Sequence, residues 1–229
     1  MADGPIKVLY WGGSPPACTG FGTVAREIIL RLTQTGRYEF ITLGINYFGD
    51  PHPYEGMLRI FPTSHDDLLG RGRIGTMLSF LQPDLLFTIN DCDVLDWFGP
   101  VYVDACRQLG WTVPWVCYTP VDGEPFHRHQ VPLYRDLVTR TVTCSEYGRG
   151  VIQRSIPILD GPVVYHGVAS DTYRPTAESV RAELRGELGT GDRFVGLSVV
   201  DNQSRKQYGT LLEALPPFRT GTERSALPC

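Results

Sequence analysis

The chain has 229 residues, 42% of them hydrophobic and 20% charged, a composition that supports a packed globular core of one large domain or of one domain and part of another. Its net charge of −4 excludes a basic field for nucleic acid, and no cationic run is longer than the pair Arg205-Lys206. Six scattered cysteines (Cys18, Cys92, Cys106, Cys117, Cys144 and Cys229) form no C-x-x-C pair and read as reduced and structural. The chain does not open on a basic segment followed by a long apolar core, and no stretch approaches the roughly 18 apolar residues of a membrane span. A soluble, cytoplasmic protein is therefore expected, with peripheral membrane contact left open.

Taken in chain order, short apolar and β-branched runs at 6–11, 40–45, 85–89, 113–118, 138–144, 163–165 and 194–200 predict strands. Amphipathic stretches separate most of them. The clearest predicts a helix over 21–33, where Phe21, Val24, Ile28 and Leu32 share one face and Arg26, Glu27 and Arg31 lie off it. Such alternation predicts an α/β fold built on a Rossmann-like, doubly wound parallel sheet. Trp115-Val116-Cys117-Tyr118 is apolar throughout, as suits a strand covered on both faces.

Around residues 171–193 the sequence turns polar and helical, with Glu178, Arg181, Glu183, Arg185 and Glu187, which places a domain boundary near residue 172. Residues 1–172 are expected to form a nearly complete domain. Residues 173–229 are expected to be a linker and the start of a second, incomplete α/β domain, with a strand at 194–200 and a helix at 208–215. Pro216-Pro217 is expected to stop that helix, and the aperiodic tail to Cys229 is what a frameshift or truncation produces.

The first candidate site follows the first strand. Gly12, Gly13, Gly20 and Gly22 lie in a segment that opens directly into the best helix, where free backbone N–H groups and the positive helix end favour an anion. The alternative is a loop whose glycines serve turns and whose Thr19 caps the helix. Gly20-Phe21-Gly22-Thr23-Val24-Ala25 also matches the G-x-G-x-x-A dinucleotide pattern, so an NAD(P)-dependent oxidoreductase is the rival reading. That motif begins well past the strand, and the second strand ends at Gly44-Ile45-Asn46 without the acid that would hold a ribose.

Further polar groups stand just past the carboxyl ends of predicted strands, where ligands of open α/β sheets bind: Asn90-Asp91-Cys92-Asp93 and Thr119-Pro120-Val121-Asp122-Gly123-Glu124. Helix capping accounts equally well for Asp91 and Asp93, and a plain turn would also use Asp122 and its neighbours. His127-Arg128-His129 offers two imidazoles without a third ligand at recognisable spacing, so no metal is expected. The sequence has no G-x-S-x-G elbow, H-E-x-x-H pair or Walker loop, which removes the commonest hydrolase and NTPase readings.

Three segments together resemble retaining glycosyltransferases of family 4, which have the GT-B fold. They are Lys7-Val8-Leu9-Tyr10-Trp11 with Thr19-Gly20-Phe21-Gly22; Thr143-Cys144-Ser145-Glu146-Tyr147-Gly148; and Tyr165-His166-Gly167-Val168 with Asp171, Tyr173, Arg174 and Pro175. The resemblance covers about residues 6–215. It implies that residues 1–172 are the acceptor-side domain and 173–229 the start of the donor-binding domain. It implies sugar transfer, with retention, from a nucleotide-sugar to a sugar or glycoconjugate acceptor, using no cofactor or metal. Gly20, Gly22, Arg205 and Lys206 would then surround the donor diphosphate, where fixed cations stabilise a leaving anion. Asn90, Asp91 and Thr119 would lie on the acceptor or sugar side, and Asp122 would take the catalytic, substrate-positioning place.

The sequence departs from the family pattern at Asp201, where related sequences often carry Arg, and at Thr119-Pro120-Val121-Asp122, where many carry a His. The family's paired glutamates for donor sugar and ribose lie further along than this sequence reaches. The 229-residue chain alone is accordingly expected to have no or very weak transferase activity. A third reading, a non-catalytic sugar-binding module, would show acceptor affinity independent of nucleotide.

Overall fold

The computed structural model describes residues 4–200 and 203–221, with Arg205 and residues 216–221 described by their backbone alone. Asp201 and the tail after Gly221 lie outside the described residues. The chain divides into two compact units, Met1–Val168 and Ala169–Cys229.

The first unit runs β1 (Ile6–Gly13), α1 (Gly20–Gln34), β2 (Tyr38–Ile45), β3 (Arg59–Pro62), α2 (Arg71–Leu81), β4 (Leu85–Ile89), α3 (Cys92–Leu95), α4 (Phe98–Leu109), β5 (Trp115–Thr119), α5 (Val131–Asp136), β6 (Arg140–Thr143) and α6 (Glu146–Ser155). Its strands form one all-parallel sheet in the order β3-β2-β1-β4-β5-β6. Parallel neighbours require crossovers, and the crossovers cover both faces. On one face Leu9, Trp11, Leu43, Leu86 and Trp115 pack with Ile74 and Leu78 of α2 and with Phe98 and Tyr102 of α4. On the other, Val8, Tyr10 and Phe40 pack with Ala25 and Ile29 of α1. Alternate residues of β1 thus enter opposite cores, which is why the strand reads as an unbroken apolar run. The expected doubly wound α/β sheet is the observed one.

Helix α1 begins where Thr19, in extended backbone, accepts the Gly22 N–H on its hydroxyl at 3.0 Å. It ends at Thr35, whose N–H returns to the Leu32 carbonyl, before Gly36 turns the chain at φ 68°. Thr19→Ala removes the cap and leaves one orphan donor of the first turn unpaired. The expected loss is about 1 kcal/mol in urea unfolding followed by far-UV circular dichroism, and an unchanged midpoint would refute the capping role.

Four sequence expectations need correction, the last of them in the second unit. Strand β3 lies where no strand was expected, because Arg59-Ile60-Phe61-Pro62 is short and carries the arginine and terminal proline that suit a sheet edge. The strand expected at 163–165 reduces to one parallel bridge between Thr143 and Val163. The strand expected at 194–200 does not form.

The second unit contains α7 (Glu178–Glu187), a 3₁₀ turn at Ser204–Lys206 and α8 (Tyr208–Gly221). Among the described residues of this unit there is no strand. A single strand has no ladder partner, so 194–200 stays unpaired, with Phe194 85% and Leu197 84% exposed. Helix α8 continues through Pro216-Pro217 to Gly221. The proline rings hold φ near the helical value, but the pair gives up two helical N–H donors and sets its rings against the carbonyls one turn back, so the helix continues there at a cost. No helix among the described residues is long and apolar enough to cross a membrane.

Candidate functional site

Strand order reverses direction between β1 and β4, which opens a crevice beyond their carboxyl ends. The two strands are tied there by Asn90, a buried residue whose Nδ2 donates to the Trp11 carbonyl at 3.1 Å. Gly12 permits the approach: a Cβ at that position would lie 2.7 Å from the Ile89 carbonyl oxygen and 2.5 Å from the Tyr10 hydroxyl.

From β1 the chain folds back over the start of α1. Thr19 takes the N–H of Gly22 on its hydroxyl and that of Thr23 on its carbonyl. The N–H groups of Gly20 and Phe21 have no acceptor among the described residues, so the helix offers two donors and its positive end at the crevice. The two glycines expected to act alike here differ. Gly20 has open space where a Cβ would stand, as an approaching ligand requires. Gly22 is packed under the loop, with the Ala17 and Ser14 carbonyl oxygens 2.4 and 2.7 Å from an added Cβ.

At the same end of the sheet, the loops after β4 and β5 border a cavity of about 570 Å³ lined by Asp91, Asp93, Asp122, Glu124, His127 and Arg128, among others. Carboxylates outnumber cations on this wall. Such a wall repels phosphate but accepts charge-assisted hydrogen bonds from hydroxyl groups. Cys92 also faces the cavity, and burial pushes its thiol up to about 12, so no thiolate nucleophile is available there at neutral pH. The described cysteines form no disulfide.

The expected site residues thus fall into separate groups. Asp91 and Asp122 line the cavity, and Gly20 and Gly22 lie at the helix start. Thr119 points into the core. Its hydroxyl lies 2.8 Å from the Tyr134 hydroxyl and 2.9 Å from Cys117 Sγ, so it supports the β5 loop from beneath. Asn90 is likewise turned inward, onto Trp11. Lys206 stands exposed on the 3₁₀ turn of the second unit, and Arg205 is placed there by its backbone.

Sequence reasoning put Glu124 at the ligand-binding end without a role of its own and weighed His127-Arg128-His129 only as a metal set; Glu124, His127 and Arg128 are part of the cavity wall. Their position in the same post-strand loop as Asp122 was the available signal. Gln130 was also missed; it is buried and donates Nε2 to Asp93 Oδ1 at 3.0 Å. Only the folded chain brings these two residues together.

No protein-family model matches the chain, and no curated protein matches it. Among solved structures it is similar to Anabaena Alr3699/HepE in complex with UDP, with 16% identity and a TM-score of 0.59 over 93% of this chain and 58% of that one. It is also similar to the same protein in complex with UDP-glucose, with 16% identity and a TM-score of 0.54 over 93% of this chain and 57% of that one. The chain therefore spans less than two thirds of the length of these structures. At this identity the likeness is one of fold, and it agrees with the GT-B-type architecture expected from the sequence.

Proposed function

We propose that this chain is the acceptor-side part of a glycosyltransferase that moves a sugar from a nucleotide-sugar donor to a sugar or glycoconjugate hydroxyl, with retention, in the manner of family 4. The observation that carries this reading is the pairing, at one end of the sheet, of a helix start with two free N–H donors and a carboxylate-lined cavity. The first suits a diphosphate and the second suits sugar hydroxyls. Similarity of fold to HepE, which was solved with UDP-glucose, supports it.

In this reading the free N–H groups of Gly20 and Phe21 receive donor phosphate, and Asp122 orients a hydroxyl in the cavity. The diphosphate leaves as the glycosidic bond forms, its charge met by those N–H groups. A resident metal is not required for that step.

The oxidoreductase alternative loses ground on one point. Dinucleotide glycines belong to the turn directly after the strand, whereas β1 ends at Gly13 and Gly20 is already the first residue of α1. Parallel calorimetric titrations with UDP, UDP-glucose, NAD⁺ and NADP⁺ test the proposal. Saturable binding of the uridine ligands, with neither dinucleotide binding, is the expected result. Tighter binding of either dinucleotide would overturn it, as would binding of free sugars with no response to any nucleotide.

A further inference from the structure

The histidine pair around Arg128 lacks a third metal ligand in the sequence, and the fold supplies one. Helix α3 carries Asp93, Asp96 follows at its carboxyl end, and the loop between β5 and α5 carries His129. His129 Nε2 lies 3.0 Å from Asp96 Oδ2. One ligand atom from each of Asp93, Asp96 and His129 lies within 4.8 Å of the others. An ion held at about 2.0–2.2 Å from each ligand keeps its ligand atoms no more than about 4.4 Å apart, so shifts of a few tenths of an ångström close the set. The His127 ring stands 5.5 Å from that of His129, within reach of a fourth position.

A second observation comes from outside the three ligands. The Gln130 side chain, in a residue only 2% exposed, reaches Asp93 Oδ1 with its Nε2, while its own Oε1 is buried without a hydrogen-bond partner among the described residues. A buried carboxamide gripping a ligating carboxylate is the outer-shell support that metal ligands take. The other end of the same carboxamide is left with an unmatched acceptor beside that carboxylate.

We infer that Asp93, Asp96 and His129 bind one divalent transition-metal ion of the Zn²⁺ or Co²⁺ type, joining α3 to the loop after β5 across the wall of the 570 Å³ cavity. Two carboxylates balance the ion's charge. The imidazole selects a borderline ion over Ca²⁺ or Mg²⁺, which prefer oxygen ligands. The ion acts as a tether that fixes the spacing of the acid-lined loops and takes no part in bond making. This inference does not depend on the glycosyltransferase reading, since the ion binds with or without nucleotide.

The test is a Co²⁺ titration of the untagged, chelator-stripped 229-residue chain, followed by calorimetry and visible absorption, with no nucleotide present. One equivalent is expected to bind, with a weak visible band of oxygen and nitrogen ligation. His129→Ala and Asp96→Asn should each weaken it at least tenfold, whereas His52→Ala, far along the chain, should leave it unchanged. Circular dichroism of each variant establishes that the fold is retained; Asp96→Asn is close to isosteric and exposed, so it keeps the test meaningful if another variant unfolds. Absence of saturable binding overturns the inference. So does affinity unaltered in both His129→Ala and Asp96→Asn, or a near-ultraviolet thiolate band that places the ion on cysteine.

Discussion

Trp115→Ala is expected to lower the stability of the chain by about 3–5 kcal/mol, the range for truncating a large aromatic residue in a packed core. Trp115 is fully buried, with Phe98 edge-on at 5.2 Å and Tyr102 tilted at the same distance. Its indole N–H donates to Thr88 Oγ1 at 3.0 Å, and Thr88 is itself fully buried. The substitution therefore opens a cavity between β5 and α4 and removes a donor from a hydroxyl that water does not reach. Domains of this kind are stable by only about 5–15 kcal/mol, so much of the margin goes. Trp111, 42% exposed just after α4, is the internal control; Trp111→Ala should stay within about 0.5 kcal/mol. Urea unfolding by circular dichroism measures both, and equal losses at the two positions would refute the packing argument.

Gly22→Ala is the second large effect, and its contrast with Gly20→Ala separates two glycines that look alike in sequence. A Cβ on Gly22 meets two backbone carbonyl oxygens of the loop from Ser14 to Ala17, at 2.7 and 2.4 Å. That loop is held by the Ala17 N–H to Ser14 carbonyl bond and by the Ser14 N–H to Ile45 carbonyl bond, both 2.9 Å, so it cannot yield without breaking them. Overpacking of this kind costs about 1–3 kcal/mol. It also moves the first turn of α1, so affinity for a nucleoside diphosphate should fall more than tenfold. A methyl on Gly20 meets nothing within 4 Å, and Gly20→Ala should be neutral or stabilising by up to about 1 kcal/mol. If Gly22→Ala matched the parent chain in both urea midpoint and UDP titration, the close-approach account would be wrong.

The sheet was legible in sequence wherever a strand is buried on both faces. The apolar runs of β1, β2, β4 and β5 announce themselves because each alternate residue enters a core. Strand β3 escaped because an edge strand of four residues with Arg59 and Pro62 carries the composition of a loop. Residues 194–200 misled in the opposite way: they have strand composition, but pairing is a property of neighbours and not of the segment.

The site was legible as position and illegible as direction. Asn90 and Thr119 do follow strands at the ligand-binding end, yet Asn90 turns to the carbonyl of Trp11 and Thr119 to Tyr134, contacts that only the tertiary structure brings together. The pairing of His129 with Asp96, and of Gln130 with Asp93, was hidden for the same reason.

The placement of β1 carries a consequence for biosynthesis. Val8 pairs with Phe40 on one side and with Leu85 on the other, so the first strand of this sheet to be made becomes an interior strand that must wait for a much later one. Until Leu85–Ile89 is made, β1 and β2 form a ribbon with one apolar edge bare. Strands β5 and β6 then add outward in the order of synthesis. Folding of this unit is therefore expected to be vectorial from β4 onward and slow before it, because the first long loop closure precedes the contacts that reward it.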